Sequence, residues 1–344
     1  MNFSELMKTK KDITLGYIGG SITDQEGFRP VFTQHLRNAY PDNNITDINA
    51  AMGGTNSFLG VCRIDRDIIS KNPDITIIEF SVNDSSEEEQ FEFFERTYEG
   101  MVRKLLNYKP DMLIIGVGLT TKSMNDSFYE KGETPYSVKA HKSVCDYYNI
   151  PYVNVGEMLF EKIKEENSEM LKYTVDNVHT NDEGGKFYGD ALWNSIKEYN
   201  FDIKPNEKPL IENNLENATL YFSDKLEKGW YKSAWLRGKI HENYIYSCTP
   251  GSEITVDFYG SVFGIYCTTE KTSGNIAYSI DGGEWKERPT WDKYAIDFDR
   301  LHYYTLEENL PNKEHSVTIR VSDKKEEQSE GYYLRIIAFL VEKP

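Results

Sequence analysis

The chain of 344 residues is long enough for one large domain or two ordinary ones, since domains usually span about 100–200 residues. Hydrophobic residues make up 39% of the sequence, which is sufficient for a sizeable core. The net charge of −17 repels phosphate backbones and anionic headgroups, and it therefore argues against nucleic acid and membrane surfaces as partners.

The N-terminal segment contains no apolar stretch of the length found in signal peptides. The longest apolar run, residues 113–119, is far shorter than a membrane span. The four cysteines show no metal-ligand spacing. We therefore expect a soluble, cytoplasmic protein.

Strands and helices alternate over the first two hundred residues, which predicts a parallel sheet covered by helices on both faces. Five strands favour a flavodoxin-like, doubly wound α/β fold, whose sites lie beyond the carboxyl ends of the strands. The predicted strands are residues 13–18, 44–50, 74–80, 112–117 and 151–155. The predicted helices are residues 28–38, 58–70, 90–107, 137–148 and 183–199.

The pattern changes at residues 204–209, a polar and proline-flanked segment that is typical of a linker. We therefore predict a catalytic-type domain over residues 1–204 and an accessory domain over residues 205–344. Short, closely spaced strand patterns without a long helix predict an antiparallel β-sandwich of jelly-roll type in the second domain. These strands are residues 219–222, 244–247, 253–259, 262–267, 275–280, 316–321 and 332–340.

A Gly-Gly-Ser-Ile-Thr-Asp segment at residues 19–24 directly follows the first predicted strand. Glycines before a serine at a strand-to-helix turn let the backbone bend sharply and expose the hydroxyl at the sheet edge, as a nucleophile requires. The helix that begins there also offers N–H groups to a developing anion. The alternative is that Ser21 only starts a helix, because serine is a favoured N-cap residue.

Asp176 and His179 lie just before the last predicted helix of the first domain. Thr180 and Glu183 form a capping-box pattern, which places His179 on a loop at the ligand-binding edge. A carboxylate three residues before a histidine can bind its Nδ1–H and leave Nε2 free as a base. An ordinary loop histidine beside a turn-forming aspartate is the alternative. Ordinary helix-surface or strand positions are expected for His35, His141, His241, His302 and His315.

Two further segments offer hydrogen-bond donors at the same edge. Gly54 follows the second predicted strand, and Asn83 follows the third. Acyl transfer creates a tetrahedral oxyanion, which a glycine N–H and an asparagine amide can stabilise. Glycine and asparagine are also common in ordinary turns, so each segment alone is compatible with a loop.

Taken together, these four segments resemble the blocks of the SGNH, or GDSL-type, hydrolase family, in the same order over roughly residues 13–199. The resemblance implies that Ser21 is the nucleophile, with His179 as the base and Asp176 as its orienting partner. It also implies an oxyanion hole made of the Ser21 N–H, the Gly54 N–H and the Asn83 amide. Such a mechanism requires no metal and no organic cofactor.

Two positions depart from the family pattern. Gly20 stands where the GDS signature has aspartate, and Ser81 stands where the third block usually has glycine. The Gly-Gly-Ser-Ile-Thr form resembles the branch that contains many carbohydrate esterases. Some relatives in that branch work with a Ser–His dyad, so the resemblance assigns less weight to Asp176 than to Ser21 or His179.

The C-terminal region resembles, less specifically, the jelly-roll modules attached to carbohydrate esterases of this type. Aromatic rings there could hold the flat apolar face of a sugar, although most such rings fill a core. Packing against the catalytic domain is an equally open role for the module. The tryptophans in question are Trp230, Trp235, Trp285 and Trp291.

The leading hypothesis is an esterase that removes small acyl groups, most favourably acetyl, from a saccharide or a related small ester. A lipase, lysophospholipase or thioesterase with the same residues is the first alternative, although no amphipathic interfacial helix supports it. A glycan-binding protein without activity is the second, and an acyltransferase the third. The partner is therefore a small-molecule or oligosaccharide ester, and assembly into a homo-oligomer is left open.

Overall fold

The computed structural model of the protein divides into two compact units, Met1–Glu216 and Asn217–Pro344. The residues that it describes are 1–84, 86–205, 207–223, 226–237 and 240–343. Among these residues, no helix combines the length and the apolar character needed to cross a membrane.

In the part of the first unit that the structure describes, five parallel strands form one sheet. These strands are β1 (Asp12–Gly19), β2 (Asn44–Asn49), β3 (Ile75–Glu79), β4 (Leu113–Gly118) and β5 (Tyr152–Asn154). Their spatial order is β2-β1-β3-β4-β5, the flavodoxin-like order. β3 and β4 are buried along their whole length, as expected for parallel strands covered on both faces. The predicted doubly wound five-stranded sheet is confirmed.

Helices connect these strands, and the five predicted ones are present with bounds shifted by a few residues. Among the described residues of this unit, three further helices of six to eleven residues were not predicted: one near the N-terminus, one after β4 and one after β5. The helices of this unit are α1 (Phe3–Thr9), α2 (Ser21–Asp24), α3 (Phe28–Ala39), α4 (Ser57–Asp67), α5 (Phe91–Tyr108), α6 (Lys122–Ser127), α7 (Tyr136–Tyr147), α8 (Val155–Glu165) and α9 (Asp182–Ile196).

The carboxyl ends of β1, β2 and β3 lie side by side. The register of β1 and β3 pairs Gly19 with Glu79, the last residue of each strand. Beyond the end of β2, the Ala50 N–H donates to the Tyr17 carbonyl at 2.8 Å, and the Met52 N–H donates to the Gly19 carbonyl at 2.9 Å. These two bonds bring the turn after β2 next to the turn after β1.

The segment after the predicted linker packs on α5 of the first unit. The Glu99 carboxylate accepts hydrogen bonds from the Leu210 and Ile211 N–H groups, at 2.5 and 2.9 Å. The Leu215 N–H donates to the Arg96 carbonyl at 3.2 Å. The structural division therefore falls at Glu216, later in the chain than the predicted boundary between residues 204 and 205.

The described residues of the second unit form one antiparallel sheet of nine strands. These strands are β6 (Ala218–Tyr221), β7 (Tyr231–Arg237), β8 (Ile240–Ser247), β9 (Glu253–Thr269), β10 (Asn275–Ile280), β11 (Lys286–Pro289), β12 (Arg300–Glu307), β13 (Lys313–Val321) and β14 (Leu334–Glu342). The predicted antiparallel β-domain is confirmed, whereas its jelly-roll character stays a prediction.

β9 replaces two predicted strands, residues 253–259 and 262–267. The chain does not turn back at Gly260, which has a φ of +126°, but continues and changes partner. Its first half pairs with β13, and its second half pairs with β12. Because one strand takes part in both pairings, the sheet curls around its own core. Trp230 and Trp291 are buried, whereas Trp285 is 39% exposed.

Candidate active site

Ser21 is the first residue of α2, the single helical turn that follows β1. Gly20, the N-cap residue, is extended and makes no side-chain capping bond. The Ser21 hydroxyl is therefore not used to start the helix, contrary to the simpler alternative. Its Oγ lies 2.8 Å from Nε2 of His179, across 158 residues of sequence.

His179 connects Ser21 to Asp176. The Nδ1 atom of His179 lies 2.7 Å from Oδ2 of Asp176. A carboxylate at this distance fixes the proton on Nδ1, so that the Ser21 hydroxyl donates to Nε2. The three predicted residues thus form one line of hydrogen bonds, with the geometry of a nucleophile, a base and an orienting acid.

The Asp176 carboxylate also shapes the loop on which His179 lies. Its Oδ1 accepts the backbone N–H groups of Val178, at 3.0 Å, and His179, at 2.7 Å. Partial burial tends to raise the pKa of Asp176, but the hydrogen bonds from His179 and Val178 outweigh it and hold that pKa below its ordinary value. Asp176 therefore stays charged, and half of its side chain is exposed to water.

The predicted capping box is wrong by one residue. Asn181, not Thr180, is the N-cap of α9, and its side chain accepts the Gly184 N–H at 3.0 Å. Thr180 instead forms a bridge with Thr174, and its hydroxyl accepts a hydrogen bond from Gln25. Asparagine caps helices at least as well as threonine, so the Asn at the next position takes over this role. The loop position predicted for His179 is unchanged.

The Asn83 amide packs on the backbone of Gly20. A Cβ atom built on Gly20 would lie 1.7 Å from Oδ1 of Asn83 and 3.4 Å from its Nδ2. The amide thus occupies the space that a side chain would need at position 20. This contact gives a structural reason for glycine where the GDS signature has aspartate.

Gly53 and Gly54 form the turn on the other side of Ser21. A Cβ atom on Gly53 would lie 3.5 Å from the Ser21 Cβ, which is ordinary van der Waals contact. Gly54 has a φ of +71°, a conformation that side chains disfavour. The structure therefore brings Ser21, the Gly53–Gly54 turn and Asn83 together at one sheet edge.

Sequence reasoning missed the buried pair Asp84 and His141 beneath these turns. His141 is not a surface residue of α7 but is fully buried, and its Nε2 lies 2.7 Å from Oδ2 of Asp84. The Oδ1 atom of Asp84 accepts the Ser57 N–H at 2.9 Å. Asp84 thus ties the Asn83 turn to the start of α4. The position of Asp84 directly after Asn83 was a signal for this role, whereas nothing local marked His141.

The described residues contain no group of three or more His, Cys, Asp or Glu side chains arranged to hold a metal ion. The polar groups around Ser21 form hydrogen bonds with one another instead. Their arrangement supports acyl transfer by acid–base chemistry of side chains.

Residues 17–187 match the GDSL-like Lipase/Acylhydrolase family. Among solved structures, the chain is similar to a two-domain esterase active on acetylated mannans and co-crystallised with mannopentaose. That likeness has a TM-score of 0.79 at 23% sequence identity and covers 99% of this chain and 95% of the other. A second structure of a two-domain esterase active on acetylated mannans gives a TM-score of 0.78 at 24% identity, with the same coverage.

An acetyl xylan esterase is similar to part of the chain, with a TM-score of 0.46 at 22% identity over 54% of this chain and 100% of the other. No curated protein sequence matches the chain. At these identities, the structural similarity establishes the fold, and the family match establishes the class of chemistry. The chain therefore carries a domain of the GDSL-like lipase/acylhydrolase family, and it is a carboxylic ester hydrolase.

Proposed function

We propose that the protein is a serine esterase that removes acetyl or similarly small acyl groups from a saccharide, through an acyl-enzyme on Ser21. The observation that carries this proposal is the line of hydrogen bonds from Asp176 through His179 to the Ser21 hydroxyl. The neighbouring Asn83 amide and Gly53–Gly54 turn add the donors that such a reaction needs.

In the first half-reaction, the Ser21 oxygen attacks the ester carbonyl carbon while His179 Nε2 takes the hydroxyl proton. The carbonyl electron pair moves to oxygen, and the N–H groups of Ser21 and Gly54 and the Asn83 amide bind this oxyanion. The charged Asp176 stabilises the imidazolium. The intermediate then collapses, the bond to the sugar oxygen breaks, and His179 gives its proton to that oxygen.

In the second half-reaction, water takes the place of the sugar. His179 removes a proton from the water as its oxygen attacks the acyl carbon, and a second oxyanion forms at the same donors. Collapse breaks the bond to the Ser21 oxygen, which recovers its proton from His179. The net reaction consumes one ester and one water and releases one acid and one alcohol.

The choice of a saccharide ester draws support from two sources. The two-domain esterase of the same fold acts on acetylated mannans. In this chain, Trp285 on the loop before β11 is 39% exposed and stacks on Arg320, whose guanidinium carbon lies 3.7 Å from the ring centroid. An exposed aromatic ring suits the apolar face of a sugar, and we assign residues 217–344 an accessory, carbohydrate-binding role on this basis.

Kinetics with phenyl acetate and phenyl octanoate test the proposal. Ser21→Ala and His179→Ala should each lower kcat/KM by at least about 10³-fold, since the three residues act as a unit. Ser195→Ala, an exposed serine of α9, and His35→Ala, a half-exposed histidine paired with Asp190, are matched controls that should retain activity.

A second measurement addresses the substrate. Acetylated mono- and oligosaccharides are incubated with the protein, and the loss of acetyl groups is followed by mass spectrometry. Release of acetate from the sugars, together with a preference for phenyl acetate over phenyl octanoate, is expected. A preference for octanoate would favour a lipase or thioesterase, and full activity of both Ser21→Ala and His179→Ala would refute the site.

A further inference from the structure

Glu79 is a buried carboxyl group beneath the candidate active site that the reaction described above does not use. It is the last residue of β3, and only 1% of its surface is exposed. Within the part of the chain that the structure describes, no lysine or arginine forms an ion pair with it. A carboxyl group in such a place requires a structural or functional reason, because burying an unpaired charge is costly.

The two oxygens of this carboxyl group connect two of the turns at the sheet edge. Oε2 accepts a hydrogen bond from the Thr23 hydroxyl at 3.0 Å, and Thr23 belongs to the helical turn that Ser21 begins. Oε1 lies 3.0 Å from the Ser81 hydroxyl, two residues before Asn83. Glu79 thus holds the turn of the nucleophile and the turn of the amide donor through a single rigid group.

The surroundings of this carboxyl group disfavour its charge. Burial raises the pKa of Glu79 to about 7; the hydrogen bonds from Thr23 and Ser81 oppose this effect, and the nearby Asp84 adds to it. Burial also raises the pKa of three neighbouring phenols, which stay neutral in the same pH range. The titratable groups that face Glu79 are Asp84 and the phenols of Tyr98, Tyr152 and Tyr188.

A neutral Glu79 suits the proposed reaction better than a charged one. The Ser81 hydroxyl also lies 3.3 Å from the Leu119 carbonyl, so it can donate there and accept a hydrogen bond from the O–H of a neutral Glu79 carboxyl. Negative charge develops on the substrate oxygen at this sheet edge in the transition state. A second negative charge buried under the same turns would oppose it, because water does not screen the two charges there.

We propose that Glu79 is a positioning residue for the esterase reaction, which holds the Ser21 and Asn83 turns together, and that the reaction is fastest while its carboxyl group is neutral. This inference rests on the proposed function. It implies that kcat/KM falls on the alkaline side of neutrality as the Glu79 proton is lost, with Ser21 and His179 unchanged.

The test is the pH profile of kcat/KM for phenyl acetate between pH 6 and pH 9, for the wild type and three variants. The kcat/KM of the wild type should fall at least about threefold between pH 7 and pH 9. The kcat/KM of Glu79→Gln should not fall over that range, because its side chain stays neutral. Glu79→Ala should be at least about tenfold less active even at pH 6, where Glu79→Gln stays close to the wild type. Glu95→Gln, a carboxyl of α5 bonded to Ser143, is the matched control and should keep the wild-type profile.

The outcomes separate this inference from the proposed function. If Ser21→Ala is inactive but Glu79→Gln keeps the alkaline loss of the wild type, Glu79 does not act through its proton and the inference fails alone. Wild-type activity of Glu79→Ala at pH 6 would likewise refute the positioning role. If Ser21→Ala is fully active, the proposed function itself fails, whatever the Glu79 variants do.

Discussion

A methyl group on Gly20 should disable catalysis without unfolding the protein. The new Cβ of Gly20→Ala would lie 1.7 Å from Oδ1 and 2.7 Å from Cγ of Asn83, whereas real Cβ atoms essentially never have contacts under 3.0 Å. The amide must therefore move by at least 1.3 Å, the difference between 3.0 and 1.7 Å. An oxyanion donor displaced so far no longer reaches its oxygen.

The Gly20→Ala substitution should lower activity much more than it lowers stability. Loss of one oxyanion donor lowers kcat by about 10²–10³-fold in comparable sites. The clash involves the end of a flexible side chain, so rotation of Asn83 relieves it, at a cost in unfolding free energy of about 1 kcal/mol. We therefore expect a variant that unfolds in urea nearly like the wild type but hydrolyses phenyl acetate at least about a hundred times more slowly.

Gly53→Ala is the matched control, because its Cβ would make only an ordinary contact of 3.5 Å with Ser21. The kcat of this variant should stay within about threefold of the wild type. Adding Gly20→Ala to Asn83→Ala should change nothing further, since no amide is left to displace. A folded Gly20→Ala protein with wild-type kcat would refute the assignment of Asn83, and full additivity in the double variant would refute the clash as the cause.

Three further predictions concern the aspartate that orients the base, the buried carboxyl and a helix cap. Asp176→Asn should lower kcat by about 10–10²-fold, less than the ~10⁴ of a buried triad aspartate, because the Asp176 side chain is 50% exposed to water; phenyl acetate kinetics would show this. Since Glu79 has a folded-state pKa of about 7 against 4.5 in the unfolded chain, its stabilising effect is full below pH 4.5 and is lost as the pH rises through 7. Urea unfolding at several pH values should show that the free energy of unfolding of the wild type falls by ~3 kcal/mol as the pH rises through this range. The Glu79→Gln variant should not show this fall. Asn181→Ala should lower the unfolding free energy by about 1 kcal/mol in the same assay, whereas an unchanged value would contradict its role as the cap of α9.

The sheet of the first unit could be predicted because each of its strands has a recognisable local sequence pattern. β3 is a run of β-branched and apolar residues, and α5 has an apolar face at helical spacing, so their bounds were predicted to within one residue. β9 could not be predicted as one strand, because Gly260 and Ser261 look like a turn. Pairing with β12, β13 and β14 carries the strand through them. β11 is exposed and charged, and it therefore lacks the alternation that marks a strand.

The parts of the candidate site that could be predicted are those whose residues lie close to one another in the sequence or resemble a block of the GDSL-type family. Asp176 and His179 are three residues apart, and Ser21 follows two glycines at the end of a strand. The bonds of Glu79 to Thr23 and of Asp84 to His141 span 56 and 57 residues and leave no local pattern. Only the folded chain shows which polar residues meet beneath the turns.

The most direct test of Ser21 as the nucleophile is covalent labelling with a fluorophosphonate, followed by peptide mass spectrometry. The wild type and Ser195→Ala should each carry one adduct on Ser21, because His179 activates that hydroxyl. His179→Ala should react far more slowly, and Ser21→Ala should not react. An adduct at another residue, or equal labelling of Ser21→Ala and the wild type, would contradict a Ser21 acyl-enzyme.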